Sequence, residues 1–254
     1  MQPDKGKIRQ RFARAAATYD RQAVVQQEVA ARLLRLLARH TGGPPRRVLE
    51  IGCCTGILTA GLIRQYPGIT DLYVNDLVPQ FEPLVAARIP PGVRLEFLGG
   101  DIEAMALPDA LDLVISSSTL HWLENLPALL DRLHDRMARH ATLCFSIYGP
   151  GNLRELRELT GIGLDYRSLA ELRQMLAQRF SVVSCEEELL THLCPNPLAL
   201  LQHLRQTGVN ALATVPWSRP RLGDFIRQYE HRFACQGGVG LTYHPVYCLA
   251  RKDE

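Results

Sequence analysis

Between residues 47 and 148, short apolar runs alternate with stretches of helical periodicity. Residues 47–51, 72–74, 93–98, 111–116 and 141–148 read as strands, and 57–66, 81–88 and 126–139 read as helices. The last of these helices carries Leu126, Leu129, Leu130 and Leu133 at the spacing of one helical face. Parallel strands cannot be joined by a tight hairpin and need a crossover, which is most often a helix. The alternation therefore predicts an α/β fold, a mostly parallel sheet with helices on both faces. The 254 residues are 46% hydrophobic and 22% charged. A chain of this size buries roughly 70% or more of its unfolded surface and needs no disulfide or metal to hold it.

The flanks read differently. Residues 8–40 are helical in pattern, interrupted at Thr18-Tyr19-Asp20 and ended by Thr41-Gly42-Gly43-Pro44-Pro45. After Gly149-Pro150-Gly151 come helical stretches at 153–159 and 168–178, the second with Ser168 and Glu171 at capping-box spacing. A strand is expected at 180–190, helices at 198–206 and 222–233, and a last strand at 241–250. The chain thus divides into an N-terminal helical segment (1–43), an α/β core (44–190), a helical insertion (191–240) and the last strand with its tail (241–254). It has no internal repeat.

Composition excludes several classes. Only Lys5, Lys7 and Lys252 of the 29 basic residues are lysine; the others are arginine, which suits planar carboxylate and phosphate partners. A genome rich in arginine codons would give the same bias. The net charge of +3 is too balanced to imply nucleic acid. Seven cysteines in no regular framework suggest free thiols and a reducing, cytoplasmic setting. No run of about 18 apolar residues predicts a membrane span. His192 and Cys194, with His203 or Cys185, match no metal-ligand spacing, so no metal is expected.

The chemistry concentrates in Val48-Leu49-Glu50-Ile51-Gly52-Cys53-Cys54-Thr55-Gly56, a strand, a tight turn and a helix start. Glycines there let the backbone approach a ligand closely, and the helix start offers free N–H groups to an anion. Asp76, 20 residues beyond Gly56, ends the next strand, where an acid can bind the two hydroxyls of a ribose. Gly99-Gly100-Asp101-Ile102-Glu103 puts a further carboxylate at the same sheet edge, within reach of an adenine amino group. Taken singly, Gly52 is a turn glycine of any α/β protein, Asp76 a helix cap or surface acid, and Asp101 a turn cap. The ordered set is what points to a nucleoside. A nicotinamide-binding turn would require glycines at positions 54 and 57, which hold Cys54 and Ile57.

Acidic-x-Gly-x-Gly-x-Gly after the first strand, with an acid after the second and an Asp after the third, resembles class I S-adenosylmethionine-dependent methyltransferases. Glu50, Gly52 and Gly56 match, and Cys54 stands at the middle glycine. That resemblance implies a Rossmann-like fold: a mostly parallel seven-stranded sheet, an N-terminal helical lid and a helical insertion before the last strand. It implies S-adenosyl-L-methionine as cofactor, held by Tyr19, Glu50, Gly52, Cys53, Gly56, Asp76, Leu77, Asp101, Ile102 and Ser116. The fourth strand lacks the Asn/Asp-Pro-Pro-aromatic ending of enzymes that methylate bases or amides.

Further pieces span residues 8–250. They are Phe12 to Asp20, Ser117-Ser118-Thr119-Leu120-His121-Trp122-Leu123, Tyr148-Gly149-Pro150-Gly151-Asn152-Leu153-Arg154-Glu155-Leu156-Arg157, Leu204 to Asn210 and Leu241 to Tyr247. Together they resemble the malonyl-[acyl-carrier protein] O-methyltransferases of biotin synthesis, the BioC family. The resemblance implies methylation of the free carboxylate of a malonyl thioester, on acyl carrier protein or on coenzyme A. It implies catalytic roles for Tyr19, His121 and Arg154, and substrate contacts from Trp122, Arg154 and Arg157. Arg205, Arg219, Arg221 and Arg227 would face an acidic carrier protein. Neither nucleic acid nor membrane is an expected partner, and a monomer is favoured. Two other readings stay open: an O-methyltransferase of a free small carboxylic acid, and a non-catalytic cofactor-binding module.

Overall fold

The computed structural model describes residues 3–40, 43–209 and 218–253. Thr41, Gly42 and Asn210, which figure in the sequence reading, lie outside the described residues. Two helices open the chain, α1 (Lys5–Gln22) and α2 (Val24–His40). Asp4 caps α1 by accepting a hydrogen bond from the Lys7 amide. The break falls at Ala23, not at the expected Thr18-Tyr19-Asp20. Burial of Tyr19 on the inner face of α1 outweighs the weak helix propensity of those three residues.

The central sheet has seven strands: β1 (Arg47–Ile51), β2 (Asp71–Asp76), β3 (Arg94–Gly99), β4 (Leu111–Ser117), β5 (Met137–Tyr148), β6 (Ser181–Glu187) and β10 (Pro245–Arg251). Their order is β3-β2-β1-β4-β5-β10-β6. The first five run parallel, and β10 is antiparallel to both neighbours. Val48 aligns with Leu72 on one side and Leu113 on the other. Successive strands are thus laid to the left of β1 and then to its right. Ligands of open α/β sheets bind at such a reversal, outside the carboxyl ends of the strands.

Strand residues alternate between two packed layers. Val48, Val74, Leu113 and Ile115 face α2 and α3 (Ile57–Gln65), where Leu33, Leu37, Leu58 and Leu62 are buried. Leu49, Val114, Leu143 and Phe145 face α5 (Leu126–Arg136) and α7 (Leu169–Leu176). The capping box of Ser168 and Glu171 is formed as expected. Between β2 and β3 lies the short α4 (Glu82–Ala86), and after β5 comes α6 (Arg154–Thr160).

The C-terminal third departs from the sequence reading. The strand expected at 180–190 divides: β6 stays in the main sheet, while β7 (Leu190–Cys194) pairs with β9 (Gly238–Tyr243). A two-residue β8 (Ala234–Cys235) completes a second, three-stranded sheet. The 191–240 segment is therefore not helical throughout; α8 (Pro197–Gln206) and α9 (Arg219–Phe233) are joined there by this antiparallel sheet. His244 separates β9 from β10, because its carbonyl takes the Gly149 amide and its own amide donates to Asn152 Oδ1. No helix among the described residues is long and apolar enough to cross a membrane.

Candidate active site

A cavity of about 720 Å³ opens at the carboxyl ends of β1, β2 and β4. Its floor is the turn after β1. Gly52 sits at φ +74°, and a Cβ there would lie 2.1 Å from Thr119 Oγ1, so only glycine fits. The amides of Gly52 and Cys53 both donate to the Asn75 carbonyl, at 2.9 and 3.0 Å. Cys54 occupies the left-handed region at φ 50°, which costs a non-glycine residue roughly 1–2 kcal/mol. The Asp76 carboxylate holds it there: Oδ2 accepts from the Cys54 amide and Oδ1 from the Val78 amide, each at 2.8 Å. Burial pushes the Asp76 carboxyl up to about 6, against the pull of the Val78 and Cys54 amides.

The second wall comes from the end of β3. Asn75 Nδ2 donates to the Leu98 and Gly100 carbonyls, fixing the strand ends. Gly100 leaves open space where a side chain would be. Asp101 follows, its Oδ1 accepting from the Glu103 amide. Lys5 reaches across from α1 to Asp101 and Glu103, at 2.5 Å each. Burial alone would raise Glu103, but the Lys5 ammonium and the Glu124 and Asn125 amides hold it below the carboxylate range.

Helix α1 roofs the cavity. Lys5, Ile8, Phe12 and Tyr19 share one helical face and all line it. Ile8 and Phe12 pack with Trp122, which follows β4. Tyr19 is buried, and its hydroxyl meets the Cys54 thiol. Burial keeps both groups neutral by raising their pKa values well above the ordinary range.

A second, smaller cavity of about 340 Å³ adjoins the first beyond Tyr19, Phe12, Ser118 and Trp122, which line both. His121, Tyr148 and Tyr166 form its far side. The His121 ring lies 5.0 Å from Trp122 and 5.1 Å from Tyr148, and burial pushes the imidazole down to about 3. It is neutral at physiological pH.

Of the residues expected to bind cofactor, Tyr19, Gly52, Asp76, Leu77, Asp101 and Ile102 line the large cavity. The others stand behind it. Glu50 is fully buried beside Thr59, and burial raises it to about 7 against the pull of the Thr59 hydroxyl and amide. Cys53 turns into the core, Gly56 precedes α3 at φ +85°, and Ser116 Oγ ties β4 to the Ile51 carbonyl. Trp122 lines both cavities and His121 the smaller one. Arg154 lines neither; its side chain is 58% exposed and paired with Glu155 at 3.3 Å. Arg157 likewise lines neither; it donates to the Pro150 carbonyl and lies 5.7 Å from the Tyr166 ring centre. Sequence reasoning passed over Lys5, Ile8 and Thr119 as lining residues, although the spacing of Lys5, Ile8 and Phe12 on α1 was a usable signal.

Residues 49–145 match a family model described as a methyltransferase domain. The chain is 38% identical to a malonyl-[acyl-carrier protein] O-methyltransferase of Chlorobium luteolum, over 99% of this chain and 97% of that protein. The chain belongs to the malonyl-[acyl-carrier protein] O-methyltransferase family. A family member from Bacteroides thetaiotaomicron is 36% identical over 97% of this chain and 98% of its own length. The fold likeness reaches further. The N-methyltransferase NodS of Bradyrhizobium japonicum, solved with S-adenosyl-L-homocysteine, superposes with a TM-score of 0.53 at 17% identity, covering 89% of this chain and 87% of that one. In the family's terms the sheet order is that of a Rossmann-like class I methyltransferase.

Proposed function

We propose that this protein transfers the methyl group of S-adenosylmethionine to the free carboxylate of a malonyl thioester carried on acyl carrier protein. The observation that carries this reading is the pair of adjoining cavities under one helical roof, one walled by Asp76 and Asp101 and the other, among the described residues, free of any group able to act as base at neutral pH. The near full-length likeness to the family supports the substrate.

The residues present fit the cofactor. The large cavity pairs an apolar wall of Ile51, Leu77, Val78 and Ile102 with two carboxylates at adjacent strand ends. Asp76 would hold the ribose hydroxyls and Asp101 the adenine side, while Gly52 and Gly100 admit the ligand to the backbone. When bound, S-adenosylmethionine supplies a methyl group on a positively charged sulfur.

The chain has little chemistry to perform on the other substrate. A malonyl carboxylate has an acidity near that of Asp, about 4, and is already ionised. His121, held neutral, is not required as a base. Tyr19, Phe12 and Ile8 shut out water, and Trp122 packs at the passage between the cavities. Holding the two reactants in line supplies several kcal/mol of barrier lowering. Helix α1 serves as the lid, whereas α2, expected to share that role, packs into the core against the sheet. The 191–240 segment serves as the carrier-protein side, with Arg205, Arg219, Arg221 and Arg227 toward an acidic partner. The reducing compartment suited to seven free thiols is the cytoplasm.

The test is transfer of labelled methyl to malonyl carrier protein, malonyl-coenzyme A and free small carboxylic acids, compared side by side. The carrier-protein thioester is the expected best acceptor. Transfer to free acids alone would contradict the reading, and so would failure to bind S-adenosylhomocysteine at high micromolar concentration.

A further inference from the structure

The second cavity is built for a polar guest yet contains no charged side chain among the described residues. The Gln26 side chain, only 7% exposed, hydrogen-bonds the Tyr148 and Tyr243 hydroxyls, and His121 Nδ1 is buried there with no partner among the described residues. Buried polar atoms in native proteins are nearly always paired, so such an orphan marks where a ligand's polar atom belongs. Two hydroxyls are also left with a proton to give. Tyr148 accepts from Ser118 Oγ at 3.4 Å, and Tyr166 accepts from Asn152 Nδ2 at 2.9 Å. Tyr148 also faces the Gln26 side chain, and no acceptor takes the Tyr166 proton among the described residues. Arg157 is directed to the Pro150 carbonyl and lies over the Tyr166 ring.

We infer that the substrate carboxylate is bound in this second cavity by neutral donors, the Tyr148 and Tyr166 hydroxyls, and not by an arginine. The inference rests on the proposed malonyl reading and names the groups that recognise its reacting end. Chemistry favours such a site. A carboxylate oxygen uses a lone pair to form the new oxygen–carbon bond. The carbon–sulfur bond breaks with its pair going to sulfur, and no proton moves. One negative and one positive charge are consumed, so the transition state carries less charge than the reactants. A fixed guanidinium on the carboxylate would be strongest before reaction and would stabilise the reactants most. Neutral hydroxyls give direction with a weaker hold, and low polarity favours the charge-consuming step. The neutral methyl ester then accepts weaker hydrogen bonds than the carboxylate did, which aids its release.

Tyr148→Phe, Tyr166→Phe and the double variant test this with the packing kept. With S-adenosylhomocysteine present, wild-type protein is expected to bind malonyl carrier protein more tightly than acetyl carrier protein, which lacks the carboxylate. Each single variant should lower kcat/KM for malonyl carrier protein about 10- to 100-fold, the range for a hydrogen bond to a charged group. The double variant should lose the malonyl-over-acetyl preference while binding acetyl carrier protein and S-adenosylhomocysteine as wild type does, which also shows that it folds. A double variant that keeps the malonyl preference and its kcat/KM overturns the assignment. Wild-type protein that methylates no malonyl thioester overturns the underlying functional reading instead.

Discussion

Asp76 holds the turn and would hold the ligand with the same carboxylate. Its two oxygens already accept the Cys54 and Val78 amides, so the turn that would cradle the cofactor is shaped by the group that would bind it. Asp76→Ala should weaken S-adenosylhomocysteine binding by about 1.5–3 kcal/mol in calorimetry, the range for a hydrogen bond to a charged group. Because burial raises Asp76 to about 6, its charged form is lost as pH falls through 6. Wild-type affinity should decline over that interval, and an affinity flat from pH 7 to 5 would count against the role. Glu50 gives a second pH signature. Its folded value of about 7 lies above the ordinary 4.5, so the native state holds its proton where the unfolded chain releases it. Stability therefore falls as pH rises from about 4.5 to 7, by an amount on the order of 3 kcal/mol. Glu50→Gln should raise the Tm of the ligand-free protein at pH 8 and leave it near wild type at pH 4; an equal difference at both would refute the linkage. At this scale the acids at strand ends were readable, because their positions follow from strand endings. The environment of Arg154 was not: residue type suggested a carboxylate partner, and the structure supplies one in Glu155 of its own chain.

The element placed to govern access is α1, the proposed lid. Its inner face covers the large cavity, and Lys5 pins its start to Asp101 and Glu103. Partly exposed ion pairs contribute roughly 0.2–1 kcal/mol and weaken with salt. Lys5→Ala should therefore speed S-adenosylhomocysteine dissociation by about 2- to 5-fold at low salt, read by stopped-flow tryptophan fluorescence, with the difference shrinking as salt is added. A rate unchanged at low salt would show that the pair does not latch the helix. Elements of the core were legible because one periodicity governs each: strands β1 to β4 begin and end close to their apolar runs. Two boundaries escaped for a shared reason. Residues 180–190 and 241–250 each read as one continuous strand, yet each splits between two sheets. The partner that draws β7 away is β9, far off in sequence, and no local pattern announces a distant ladder. Similarly, α5 gives way directly to β5 at Met137, where pairing with Leu111 replaces the helical turn the pattern would have continued.

At the scale of the molecule, the reversal of strand order at β1 makes the crevice, and α1, which covers it, is tied in turn to α8. Thr18 Oγ1 donates to the Gln206 carbonyl, joining α1 to α8, and Phe12 packs against Gly208, where a Cβ would lie 3.0 Å from its ring. Helix α1, the proposed lid, is thus held between the sheet and the insertion proposed to meet the carrier protein. Reversing charge at Arg219 and Arg221 should raise the KM for malonyl carrier protein several-fold and leave S-adenosylhomocysteine affinity unchanged; an unaltered KM would move the docking face elsewhere. The most direct measurement is the intact mass of malonyl carrier protein after incubation with this protein and S-adenosylmethionine, with acetyl carrier protein alongside. The account predicts that the malonyl form gains one methyl, located on its terminal carboxylate, and the acetyl form gains none. A malonyl carrier protein of unchanged mass, or a methyl found on both, would contradict it.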